Sequence, residues 1–282
     1  MKVPSQDIIT PHITDSHALE YPCLEPGFAC HVELPRWDPV HLGPITLDLS
    51  PTKHVVMLLI AAGLCLLTLL LAARSHKRQH IAGTAPKGTA NGIEALVLYL
   101  RNDLVLPNVG PHGDKFVPFI LTLFFFILFA NLLGLIPYGS TATGNISVTA
   151  TLAIITFIVV EVAGMRALGR KYIGTIIYWP HDMSLGMKLP MTLVMTPIEF
   201  ISKLTKPFAL AIRLFANMVA GHIVVLALIG LIFTFGSYVI APLPLLMAFA
   251  IMLLEIFVAL LQAYIFSLLA SVFIGLIRES AH

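Results

Sequence analysis

Residues 54–73 read HVVMLLIAAGLCLLTLLLAA, a run without a single Asp, Glu, Lys or Arg. In hydrocarbon no water is available to a backbone N–H or C=O, so a run of this kind takes the helical state, which satisfies those groups internally. Twenty helical residues rise about 30 Å, one bilayer core. Further apolar runs occupy residues 116–137, 148–165, 189–235 and 243–277. Only 11% of the chain is charged, against about 25% in soluble domains. These features exclude a soluble globular class. They predict an all-α integral membrane protein with five membrane-embedded helices, over residues 54–282 as one membrane domain.

The charges set the expected orientation. RSHKRQH follows the first run, and Arg166, Arg170 and Lys171 follow the third. The excess of Lys and Arg marks cytoplasmic ends, which places the N-terminus outside and, after five spans, the C-terminus inside. Residues 1–53 hold seven Asp/Glu against three Lys/Arg and lack an apolar signal segment, so they are expected to form an external tail. Cys23 and Cys30 in that tail are compatible with a disulfide and equally with two unpaired thiols. IEALVLYLRNDLVLP, residues 93–107, has apolar residues at helical spacing, and about residues 91–106 read as an interfacial amphipathic helix. Trp179 and Tyr178 favour an interfacial position for the loop that carries them.

The last two runs are too long for upright spans. About 48 helical residues would extend roughly 72 Å, so the segment from residue 189 must break, tilt steeply or run partly along the interface. It also holds polar groups. Glu199, Lys203, Lys206 and Arg213 recur at helical offsets, and Asn217 follows one turn later. A charge in the membrane costs roughly 3–17 kcal/mol for Arg, which makes such residues functional candidates by default. The two lysines fit snorkelling to the interface as readily as a polar path.

Glu255 and Gln262 lie seven apart on the final run, hence on one face. In an antiparallel hairpin, level residues have a constant sum. Arg213 with Gln262 and His222 with Glu255 share nearly one sum, and its midpoint falls in the turn GSYVIAP. His and Glu titrate in a tunable range and can relay protons. Arg keeps its proton, so Arg213 can act as a fixed cation that draws a passing carboxylate to its ionised form.

At these residues the chain resembles subunit a of the F-type ATP synthase. TKPFALAIRLFANMVAGH matches the signature around that family's essential arginine, and LEIFVALLQAYIFSLLASVFI its closing helix with the glutamine. FVPFILTLFFFILFANLLGLIP is similar to an earlier helix of the family, and the likeness covers about residues 45–280. The resemblance implies a tilted hairpin of the last two helices against a rotating c-subunit ring, each ring subunit bearing a buried carboxylate. Arg213 matches the essential arginine, Asn217 and Gln262 its polar neighbours, and Glu199 with Ser202 the polar group on the inner side. His222 and Glu255 match an acid and a histidine found in either arrangement. Asn145, Ser147 and Thr149 are expected to line the outer path, although a capped helix start explains them equally well.

Also implied are b-type peripheral stalk subunits, an indirect link to the catalytic head, membrane lipids as surroundings, and a bacterial inner membrane. No cofactor, metal or nucleic acid is expected. The rival reading is a stand-alone ion channel or secondary transporter, but the duplicated halves of many transporters are absent. No HExxH, GxSxG or P-loop points to an enzyme.

Overall fold

The computed structural model describes residues 15–22, 29–43, 45–48, 50–82, 89–136, 140–177, 185–235 and 241–279. Trp179, Tyr178, residues 236–240 of the GSYVIAP turn and the Cys23–Cys30 pairing lie outside what is described.

The membrane part is all α, as the apolar runs predict. Its helices are α1 (Lys53–Ala82), α2 (Thr89–Tyr99), α3 (Leu106–Val109), α4 (Val117–Leu135), α5 (Ile146–Leu168), α6 (Leu185–Phe235) and α7 (Pro242–Glu279). Among the described residues, five helical segments are long and apolar enough to cross a membrane: Lys53–Arg74, Gly113–Leu135, Ile146–Thr175, Leu189–Ile232 and Pro242–Glu279. The tail departs from the all-α expectation. It carries two antiparallel hairpins, β1 (Ala18–Pro22) with β2 (Ala29–Glu33), and β3 (Val40–Leu42) with β4 (Ile45–Leu47). Gly43 takes φ +64° at the tight return between β3 and β4, a region glycine enters without steric cost.

The helix ends differ from those read from hydropathy. α1 continues through the basic cluster to Ala82, because Arg, Lys and Gln are good helix formers; their charge marks a bilayer boundary and does not stop a helix. α5 likewise runs on to Leu168. The single helix expected over residues 91–106 is interrupted, with a π-helical turn at Leu100–Val105 between α2 and α3. Pro107 explains the interruption, since it has no N–H and crowds the carbonyl four residues back. The Leu106 N–H accordingly bonds the carbonyl of Arg101, five residues back.

Of the three options for the long run at residue 189, a break is not the one adopted. α6 is one helix of 51 residues despite Pro190, Pro197 and Pro207, about 77 Å at the standard rise.

The chain packs as two compact units. The first comprises residues 1–69, 125–148 and 214–263, the second residues 70–124, 149–213 and 264–282. In the first, the tail docks on the start of α1: the Lys53 N–H donates to the Ser16 carbonyl at 2.9 Å, and the His54 N–H to Asp15 Oδ1 at 3.3 Å. A carboxylate there suits the unpaired N–H groups and positive end of a helix start. In the second, Arg278 at the end of α7 donates to the carbonyls of Val109 and Pro111, at 3.0 and 2.5 Å, and lies over the Phe116 ring. Gly275 faces the Asn108 carbonyl so closely that a Cβ would overlap it.

Candidate functional site

In the first unit α6 presents His222 and α7 presents Glu255, their Nδ1 and Oε1 atoms 3.4 Å apart. The pair is shielded, with side chains 19% and 8% exposed. It fits because residue 221 is glycine: a Cβ there would overlap the Glu255 carboxylate. On the other edge of the ring, His222 Nε2 lies 2.9 Å from the Gly134 carbonyl and 2.8 Å from Thr141 Oγ1. A carbonyl only accepts, so Nε2 carries a hydrogen. Nδ1 and Oε1, both buried and without an aligned hydrogen-bond partner, then face each other. Two bare lone pairs would repel, so one proton resides between them, on the acid or on the ring, and the pair is electrically neutral either way. That makes it a station able to pass on a single proton.

The same unit holds a buried polar network, beside which the Ser140 hydroxyl is buried without a hydrogen-bond partner. Asn131 of α4, fully buried, accepts from Thr143 Oγ1 at 2.8 Å and donates to the Ala259 carbonyl at 3.4 Å. Such a satisfied network holds α4, the 140–145 loop and α7 in register. Asn145 Oδ1 accepts from the Ser147 N–H at 2.9 Å, the N-cap arrangement, while its Nδ2 lies 3.5 Å from His54 Nδ1. His54 is 3% exposed and 3.2 Å from Asp15. Ser147 is exposed and Thr149 fully buried. Of this loop it is Thr141 that touches His222.

The second unit holds the Glu199 group. A cavity of about 110 Å³ is lined by Glu199, Lys203, Lys206, Glu161 and Thr175, among others. Lys203 is bound within the chain: 3.3 Å from Glu161, 3.0 Å from Thr175 Oγ1, and over the Tyr172 ring. Tyr172 also hydrogen-bonds Glu161. Lys206 lies over the ring of Phe273. These contacts make Lys203 part of a structured polar cluster, while Lys206 lines the same cavity. Ser202 is exposed and does not line the cavity.

Arg213 is not among the residues lining the Glu199 cavity and is not part of the His222–Glu255 pair. It is exposed, and among the described residues it has no acidic partner. Ala209, Ala216 and Ala220, at −4, +3 and +7 along α6, are exposed on the same face. Asn217 is half-buried and Gln262 is buried, 4% exposed.

Residues 55–275 match the family model described as ATP synthase A chain. Over 265 residues the chain is 47% identical to ATP synthase subunit a of Chloroherpeton thalassium, spanning 94% of this chain and 74% of that protein. The chain belongs to the ATP synthase subunit a family. Identity is 45% to ATP synthase subunit a 2 of Chlorobaculum tepidum, over 96% of this chain and 72% of that one. To ATP synthase subunit a of Anaeromyxobacter dehalogenans it is 43%, over 94% and 68%.

The family match contains every site residue read from the sequence, whereas Asp15, His54 and Arg278 fall outside it. Sequence reasoning missed Glu161, Asn131, His54 and Thr141. For the first two a signal existed: each is a polar side chain inside an apolar run. His54 opens such a run and reads as its edge, and Thr141 reads as a turn residue.

Proposed function

We propose that this chain is the proton-translocating stator subunit of an F-type ATP synthase, facing a c-subunit ring in a bacterial inner membrane. The N-terminus lies outside and the C-terminus in the cytoplasm, a reading supported by the basic clusters at the span ends. Protons arrive from outside through a half-channel whose relay is His222 with Glu255, lined by Thr141, Asn145, Ser147 and Thr149. They neutralise a ring carboxylate, which then crosses lipid without a charge. Nearly a full turn later the carboxylate meets the second half-channel near Glu199 and Ser202 and gives up its proton to the cytoplasm. Arg213, with Asn217 and Gln262 as the polar residues that the family pattern groups with it, separates the two paths because guanidinium holds its proton and draws each passing carboxylate into the ionised form. The driving energy is about 2.3 kcal/mol per charge per 100 mV, plus any pH gradient. The subunit performs no catalysis itself; b-type stalk subunits hold it and couple it to the catalytic head.

The observation that carries this reading is the exposed Arg213 on a face of alanines. An unpaired guanidinium against hydrocarbon is costly, and small neighbours let another helix approach its backbone. A ring carboxylate supplies both the missing anion and the approaching helix. The test is cross-linking in native membranes. Ala216→Cys, paired with a cysteine one turn from the ring carboxylate, is expected to form an oxidant-induced disulfide to the c subunit. Failure to link any ring position in that helix, with the complex assembled, would remove the ring from this face. Proton conduction by the purified chain alone would favour the channel reading instead.

A further inference from the structure

A second cavity, of about 660 Å³, opens in the second unit where α4 begins and α5 and α7 end. Its size is that of a small-molecule site. The polar part of its lining is basic, His112, Lys115, Arg166 and Arg278, and among the described residues no acid lines the cavity. Arg278 is fixed in place by its bonds to the Val109 and Pro111 carbonyls. Lys115 and Arg166 are exposed, and among the described residues neither has an acidic partner. Asp114, next to Lys115 in the chain, is taken by Arg101 at 2.8 Å. Cations collected round one opening repel each other unless an anion sits among them.

The rest of the lining is apolar. Ile158 and Val162 of α5 contribute to it, and Ile158 is 53% exposed. A free inorganic anion would use the basic side chains and leave this apolar part bare. A phospholipid uses both. Lys115 and Arg278 lie at the ends of the spans Gly113–Leu135 and Pro242–Glu279, the depth at which headgroups sit. We propose that this cavity binds an anionic phospholipid, its phosphate held by Lys115, Arg166 and Arg278 and an acyl chain laid along Ile158 and Val162. A zwitterionic lipid brings its own cation to side chains that are already cationic and is disfavoured. This inference stands independently of the proton path.

The test uses the full chain in detergent micelles with dioleoylphosphatidylglycerol, dioleoylphosphatidylcholine or inorganic phosphate, with retained lipid counted by native mass spectrometry. The phosphatidylglycerol is expected to be retained, the phosphatidylcholine to be lost, and equimolar phosphate to leave retention unchanged. Lys115→Gln with Arg166→Gln should weaken retention about 30-fold, from the usual worth of two basic groups near an anionic headgroup. Lys115→Arg with Arg166→Lys should retain lipid as the parent chain does. Equal retention of both lipids by the parent chain overturns the proposal whatever the variants do. So does displacement by phosphate, or a photo-reactive residue at Ile158 that captures a protein subunit instead of lipid in native membranes.

Discussion

His222 illustrates how far the neighbours of one side chain define its chemistry. The Gly134 carbonyl fixes a hydrogen on Nε2, which leaves Nδ1 and the Glu255 carboxyl to share one proton. The arrangement depends on Gly221, whose missing Cβ is the space the carboxylate occupies. Gly221→Ala is therefore expected to push the carboxylate off α6, at an overpacking cost of about 1–3 kcal/mol. Proton uptake, followed by dye quenching in vesicles, should slow while the complex still assembles. Unchanged uptake would mean that the 3.4 Å pairing is not on the path. Exchanging the two residues, His222→Glu with Glu255→His, should preserve more flux than losing either one, since a neutral one-proton pair can be rebuilt in the reverse sense. A swap worse than both single losses would argue against a pair.

At the scale of elements, α7 is held at its end by a backbone contact as well as by a charge. The Asn108 carbonyl occupies the space beside Gly275, and backbone cannot rotate away as a side chain can. Gly275→Ala should lower the unfolding temperature of the detergent-solubilised chain, at a cost of about 1–3 kcal/mol; an unchanged temperature would contradict that close packing. The spans themselves were legible as apolar runs, because hydrocarbon leaves helix as the outcome. The antiparallel count that levels His222 with Glu255 needed only helical geometry. Helix ends were less legible, since Arg74, Lys77 and Arg78 report a change of solvent and not a change of backbone. The tail hairpins were not foreseen, being strands of three to five residues. The partners of the site were hidden for another reason. Thr141 meets His222 across 81 residues and Asn131 meets Ala259 across 128, and no local pattern encodes such pairings.

For the whole molecule, the proposed function reduces to one division of labour. His222 and Glu255 exchange a proton in one unit, Glu199 stands among lysines and a second glutamate in the other, and Arg213 exchanges none. A lysine could not replace it without risk, because an ammonium in low dielectric can shed its proton and open a leak. An apolar residue would remove the cation altogether. Proton-driven ATP synthesis in membrane vesicles carrying Arg213→Ala, measured beside their passive proton flux, tests this most directly. Synthesis is expected to fall to background. Coupled synthesis at the parent rate would show that the two paths are kept apart by something other than this guanidinium.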